Sequence, residues 1–285
     1  MATSAIVIGS EAALALYPIL IKTVPTNLPT QLVTRLLVYS GLAYFFATDT
    51  DVLMTWGNWQ GAFRSSALGI LTLLHIGTSY YAFQELPAGV GMSLFYTYPI
   101  FNLLGASLFF GESFSSTQVF LVFLGFLGAV LVAYGNKDPD PQKKKDPFQW
   151  KGLLSGILAA LTESAMYFAV RTAERPSPFY AVLELYPGAL LPLLAVIWYT
   201  KSSIDFRPQV WARTISFNTL VGFLGYCLRF YAIPRLPTVV FSLLSFVGVL
   251  ASFVWGYFFV HEKPSSITLL GAGLIAAVAA FSPLK

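Results

Sequence analysis

Tyr80-Tyr81-Ala82-Phe83-Gln84-Glu85-Leu86-Pro87 opens a long apolar run that ends in Gly111-Glu112 and Ser115-Ser116. A step of 150 positions lands on Phe230-Tyr231-Ala232-Ile233-Pro234-Arg235-Leu236-Pro237, a second apolar run, then His261-Glu262 and Ser265-Ser266. The two series stay in register without a gap. Self-similarity of this kind fixes architecture before local propensity does, because each copy has to be the same folding unit.

The unit is built for lipid. Of 285 residues 56% are hydrophobic and 11% charged, with a mean hydropathy of +0.69. A water-soluble domain carries about a quarter charged residues. The net charge of +4 does not mark a nucleic-acid binder, because most basic residues lie between apolar runs, where they set membrane orientation. The single cysteine, Cys227, excludes an intramolecular disulfide and a CxxC metal site, and is read as a small packing residue. No short cleavable-signal pattern precedes the first apolar run, so residues 1–23 are read as retained helix.

A spanning helix takes about 20 mostly apolar residues. That rule gives ten spans: 3–22, 29–47, 62–83, 87–110, 115–135, 151–172, 178–200, 211–233, 237–259 and 265–282. Pro87 and Pro237 stand at helix starts, where a missing N–H costs nothing. Residues 1–135 form a first five-helix repeat, 136–150 a polar linker with Lys143-Lys144-Lys145, and 151–285 a second five-helix repeat. Five is odd, so the second copy enters from the opposite face. The fold class is an all-α membrane protein, ten transmembrane helices arranged as two inverted five-helix repeats, the usual plan of secondary transporters. Lys22, Lys151, Lys201, Arg207, Arg213 and the lysine linker outnumber Arg64, Arg171, Arg175 and Arg235, which places the termini outside.

With these features the chain resembles the drug/metabolite transporter superfamily, in its ten-helix EamA-like branch. The resemblance rests on Tyr81, Ala82, Leu86, Pro87, Gly111 and Glu112, repeated as Tyr231, Ala232, Leu236, Pro237 and Glu262, and on Pro99. Val249 replaces a proline in the second copy, and His261 stands in place of a glycine. The resemblance implies alternating access, with the third, fourth, eighth and ninth helices as gates and the fifth and tenth as supports. It implies no particular substrate. Independently, Gly125, Gly128, Gly271 and Gly273 suit close helix contact.

An ionisable residue deep in a span costs at least ~2.5–3.5 kcal/mol, so each is a candidate for function. Glu11 lies about 12 Å into the first span by helical rise, and Glu163 lies as deep in the sixth, its repeat partner. Both are candidates for substrate and proton binding; the alternative is a buried structural carboxyl. Arg35 and Glu184 occupy equivalent places in the second and seventh spans. Arg35 either binds an oxyanion with its planar fork or snorkels to the interface. Glu184 is either a site residue or a buried partner. Arg229, late in the eighth span, reads as an interfacial anchor. His75 is a candidate proton relay against the alternative of a packed histidine. Tyrosines at span depth, Tyr39, Tyr80, Tyr96, Tyr186 and Tyr226 among them, are able to hold an ammonium group by cation–π attraction, with Tyr17, Tyr81, Tyr98, Tyr167 and Tyr231 singled out as candidates; any one of them alone also fits simple packing.

No phosphate-cradling loop, HExxH or Gly-x-Ser-x-Gly pattern is present, so an ATP-driven pump and a membrane hydrolase are unsupported and no enzyme activity or cofactor is expected. The expectation is a secondary transporter of a small polar metabolite, an amino acid or organic amine before a nucleotide sugar or sugar phosphate, proton-coupled or exchanging. A non-transporting membrane protein is the alternative from another class. Expected partners are a small-molecule substrate and the lipid bilayer, with a homodimer left open and no nucleic acid. The plasma or inner membrane is favoured over an organellar one.

Overall fold

A computed structural model describes residues 2–86, 88–135, 150–261 and 265–281. Pro87, the linker from 136 to 149, Glu262 and the C-terminal Lys285 lie outside the described residues. No strand occurs among those described.

The described residues form ten rods, four of them broken. The first is Ala2–Leu14 and Tyr17–Thr23. The second, Leu28–Phe46, is capped by Asn27, whose Oδ1 accepts from Thr30 N at 3.1 Å. A short helix, Asp49–Trp56, follows, held at its start by a Thr48–Asp51 capping box; the hydropathy pattern gave no sign of it. The third rod is Trp59–Glu85 and the fourth Ala88–Phe95 with Tyr98–Phe110. The fifth is Ser116–Gly135 and the sixth Trp150–Arg171. The seventh runs Pro178–Leu185, a 3-10 turn Pro187–Ala189, then Leu190–Thr200. The eighth is Pro208–Phe217, a π-helical stretch Asn218–Phe223 and Leu224–Ala232. The ninth is Thr238–Ser245 with Val247–Val260, and the tenth Ser266–Phe281.

Three of the breaks have one cause. Tyr17-Pro18, Tyr98-Pro99 and Tyr186-Pro187 each place a proline just inside a new helical segment. Proline has no N–H to donate and its ring strikes the carbonyl four residues back, so the preceding turn cannot close as α-helix. The chain instead makes tight three-residue bonds, Leu16 N to Ala13 O and Thr97 N to Leu94 O, both 3.1 Å. The ninth rod breaks at Phe246 without a proline, at the repeat equivalent of the break in the fourth.

Packing repeats as the sequence does. The third rod lies along the sixth, and the first along the eighth; these are one contact made twice by a pseudo-two-fold relation. The fourth packs on the ninth and the fifth on the tenth, across that same relation. The fifth and tenth meet through Gly128, where an added Cβ would sit 2.9 Å from Gly271 O and 2.8 Å from Ile275 Cγ1. Gly273, expected to share in this, meets nothing within 4 Å.

The body is apolar outside and charged inside, the reverse of a soluble protein. Trp198 and Phe109 are 82% and 80% exposed, while Glu11, Glu163, Arg35 and Arg229 are buried. At the end where the second, fourth and sixth rods finish, Arg171 pairs with Glu112 at 2.7 Å, Arg64 with Glu184 at 3.2 Å and Arg175 with Asp51 at 2.9 Å. At the other end Asp205 pairs with Arg207 at 2.6 Å and donates its backbone N–H to Thr30 Oγ1 at 2.8 Å. The Arg207 guanidinium holds the Asp205 carboxyl below the usual carboxylate range.

Candidate functional site

The break in the first rod begins one turn after Glu11, and the break in the fourth exposes Tyr96 and Tyr98 on its inner side. Glu11 Oε2 accepts from Tyr96 Oη at 2.8 Å, and Oε1 accepts a longer bond from Tyr98 Oη at 3.4 Å. Arg229, from the eighth rod, brings Nη1 to 3.0 Å from Glu11 Oε1. Its Nη2 lies 2.6 Å from Oε1 of Glu163 on the sixth rod, close by distance but bent away from hydrogen-bond alignment. The rings of Tyr98 and Phe241 lie 4.8 and 5.5 Å from the same guanidinium. Two carboxylates from repeat-related rods thus share one arginine. A buried pair loses its hydration, and only geometry this close offsets that cost.

The cluster carries one negative charge more than positive, and His75 stands beside it. His75 Nε2 is 3.0 Å from Glu163 Oε2. The neighbours of Nδ1 are acceptors: Ala159 O at 3.2 Å, and Thr162 Oγ1 at 3.4 Å, whose own hydrogen is spent on Leu158 O. Nδ1 therefore carries a hydrogen. The His75–Glu163 contact is close by distance but not aligned as a hydrogen bond, and Glu163 Oε2 has no other partner among the described residues. The pair offers a place for one proton, on either group, and a proton there would make the cluster neutral.

A second cluster surrounds Arg35, which is 2% exposed. Its Nη1 donates to Tyr80 Oη at 3.2 Å and Nη2 to Tyr186 Oη at 3.1 Å. The rings of Tyr17, Tyr226, Tyr39, Tyr80 and Tyr186 lie 4.6 to 5.8 Å from its central carbon. Tyr17 and Tyr39 bond each other at 2.8 Å, and Tyr17 donates to Asn218 Oδ1 at 3.0 Å. Asn218 opens the π-helical stretch, a feature frequent at functional sites. No carboxylate lies within ion-pair distance of Arg35 among the described residues.

Both clusters line one internal cavity, bounded by Arg35, His75, Tyr80, Tyr96, Tyr226 and Arg229. About 20 Å³ of it is open to the centre of a water molecule, room for a water but not for an amino acid. Two glycines fit the cavity wall closely: a methyl on Gly248 would overlap the Tyr96 hydroxyl, and one on Gly222 the Tyr17 hydroxyl. Gly248→Ala is expected to push Tyr96 off Glu11 and to cost about 1–3 kcal/mol, as overpacking does. A thermal midpoint unchanged from wild type would show that the wall yields.

Of the sequence candidates, the structure gathers Glu11, Glu163, His75 and Tyr98 in the first cluster, and Arg35 and Tyr17 in the second. Arg229 is corrected: it is 1% exposed and central, not an interfacial anchor. Glu184 sits outside both clusters, accepting from Tyr180 Oη at 3.0 Å beside Arg64. Tyr167 accepts from Arg171 at 3.0 Å near the end of its rod. Tyr231, 37% exposed, stacks under Arg235, and Tyr81 is half-buried away from the cavity lining. Tyr96, Tyr186 and Tyr226 lie at span depth by sequence but are not among the five tyrosines the sequence singles out as site residues. For Tyr186 the Tyr186-Pro187 pair was an available signal, since it breaks its rod at cavity depth; Tyr96 and Tyr226 precede no proline and carry no such mark.

The chain can be compared with known proteins on this footing. A family model described as the EamA-like transporter family matches residues 2–134 and again 150–282. The chain is 22% identical over 216 residues to the pseudopaline exporter CntI of Pseudomonas aeruginosa, covering 76% of this chain and 73% of that one. It is 24% identical over 218 residues to an uncharacterized transporter, YdfC, of Bacillus subtilis, covering 75% and 66%. A crystal structure described only as that of a protein aligns with a TM-score of 0.75 over 100% of this chain and 99% of its own, at 16% identity, which is a likeness of fold. The chain belongs to the EamA-like transporter family, and is a multi-pass integral membrane transporter of the drug/metabolite type rather than an enzyme.

Proposed function

We propose that this transporter moves a small zwitterion or organic amine, an amino acid first among them, by proton-coupled alternating access. The observation that carries the reading is the buried charged cluster of Glu11, Arg229, Glu163 and His75, in which His75 and Arg229 line the cavity and a proton on His75 or Glu163 balances the charge. A substrate ammonium takes the place of that proton against Glu163, so the cluster stays neutral in both states and one cation is exchanged for the other. Intramembrane carboxylates paired in this way mark substrate and proton paths. The broken fourth and ninth rods supply flexing points near mid-membrane, where repeat-built transporters hold substrate. That one relative is named an exporter supports outward movement of a small molecule.

The test is uptake into liposomes of purified protein from a panel of labelled amino acids, amines and nucleotide sugars. Saturable uptake of amino acids or amines, lost in Glu11→Gln and Glu163→Gln variants that still fold, is the expected result. Uptake unchanged in both variants removes the site assignment. No uptake and no ligand-induced thermal shift across the panel favours a non-transporting protein.

A further inference from the structure

Arg35 is a full positive charge sealed inside a membrane protein, with no carboxylate beside it among the described residues. Arginine stays protonated under any physiological condition, so neutralisation by proton loss is not open to it. The five tyrosine rings lower the cost of the charge. Their hydroxyls are dipoles, however, and do not remove it. Arg229, on the same cavity, is matched by two carboxylates. The contrast is between one arginine whose partners are built in and one whose partner has to arrive.

Arg35 is also free to receive such a partner. It faces the cavity, and its Nε finds no hydrogen-bond partner among the described residues. Tyr186 accepts from Arg35 Nη2 and has its own hydrogen left to donate to an arriving oxyanion. The cage around it is stiff, fixed by the Tyr17–Tyr39 and Tyr17–Asn218 bonds and by the tight fit of Gly222. A stiff donor set aimed at one point recognises an anion without reorganising.

We infer that Arg35 and Tyr186 form a carboxylate subsite, so that the transported molecule is a zwitterion whose carboxylate docks at Arg35 while its ammonium replaces the proton at Glu163 and His75. This rests on the proposed function and narrows it: amines lacking a carboxylate are poor substrates. One positive charge matches one negative charge. A phosphoryl dianion would leave a second charge unmatched in a low-dielectric interior, where each unpaired ion costs heavily. The two oxygens of a carboxylate also suit the planar guanidinium fork.

The experiment follows uptake into liposomes of three matched sets: L-leucine, L-phenylalanine and L-serine, each with its amide and its decarboxylated amine. The sets differ only in the group offered to Arg35. For any parent acid taken up, the amide and the amine are expected to compete about tenfold to a hundredfold less well, the worth of one charge-assisted bond. Arg35→Gln is expected to abolish that preference. Arg35→Lys, which keeps the charge and loses the fork, is expected to retain part of it and guards against a folding failure in the first variant. If amides and amines compete as well as the acids, the transporter reading stands and the carboxylate subsite falls. If none of the nine compounds is taken up or competes, the zwitterion assignment falls together with the amino-acid reading beneath it.

Discussion

Arg229→Met is expected to be the most damaging single substitution in the chain. It leaves Glu11 and Glu163 facing each other without their shared cation, both buried and repelling. Removing one partner of a buried ion pair costs about 3–5 kcal/mol, because an uncompensated charge remains. The purified variant should show a large fall in thermal midpoint and no uptake. Combining Arg229→Met with Glu11→Gln and Glu163→Gln removes all three charges at once. That variant should recover most of the lost stability while remaining inactive, since fully replacing a buried ionic cluster is far gentler than halving it. A single Arg229→Met variant as stable as wild type would mean that the cluster is not desolvated as described.

Glu163→Gln is expected to have the second largest effect, on coupling more than on folding. The amide keeps the size of the side chain but cannot exchange a proton with His75 at 3.0 Å. Truncating a buried charge pair of this kind costs about 2–5 kcal/mol, which corresponds to a loss of transport of about thirtyfold to a few thousandfold at about 1.4 kcal/mol per decade. Whatever uptake remains should no longer vary with pH as wild-type uptake does. Glu163→Asp should restore pH dependence with reduced rate. A Glu163→Gln variant whose residual uptake still follows pH as wild type does would place the coupling proton elsewhere.

The fold was largely legible because two signals agreed. The repeat at a step of 150 gave the halves, and apolar run length gave the rods. What hydropathy cannot register is a break inside an apolar run. Tyr17-Pro18, Tyr98-Pro99 and Tyr186-Pro187 lie within stretches whose average hydropathy is unchanged by the proline, yet each divides its rod. Depth along a rod found Glu11 and Glu163, because burial depth grows with distance from either end. It misjudged Arg229, six residues before the eighth rod's 3-10 extension closes at Arg235. Linear position says how far in a side chain starts and nothing about which neighbour it faces. Arg229 turns toward a carboxylate 218 positions away and another 66 positions away, and no local pattern announces either. His75 illustrates the same limit: alone on its helix it looks like packing, and only the sixth rod supplies its carboxylate.

Glu184 and Tyr231 fall on the other alternative the sequence left open for each. Both are at plausible depth and of plausible chemistry, yet Glu184 is held by Arg64 and Tyr180 away from the cavity, and Tyr231 lies under Arg235. The repeat did pair Glu184 with Arg35 in sequence. Inversion then sends the two near ends to opposite faces, so repeat-equivalent positions meet only when they lie near the pseudo-axis, as Glu11 and Glu163 do.

The central claim is that a proton held between His75 and Glu163 gives way to the cationic end of the substrate. Recording internal pH with a trapped dye, while a transported amino acid is added to proteoliposomes, tests it most directly. The account predicts a substrate-triggered proton movement in wild type that disappears in Glu163→Gln. Saturable uptake with no accompanying change in internal pH, equal in wild type and variant, would contradict it.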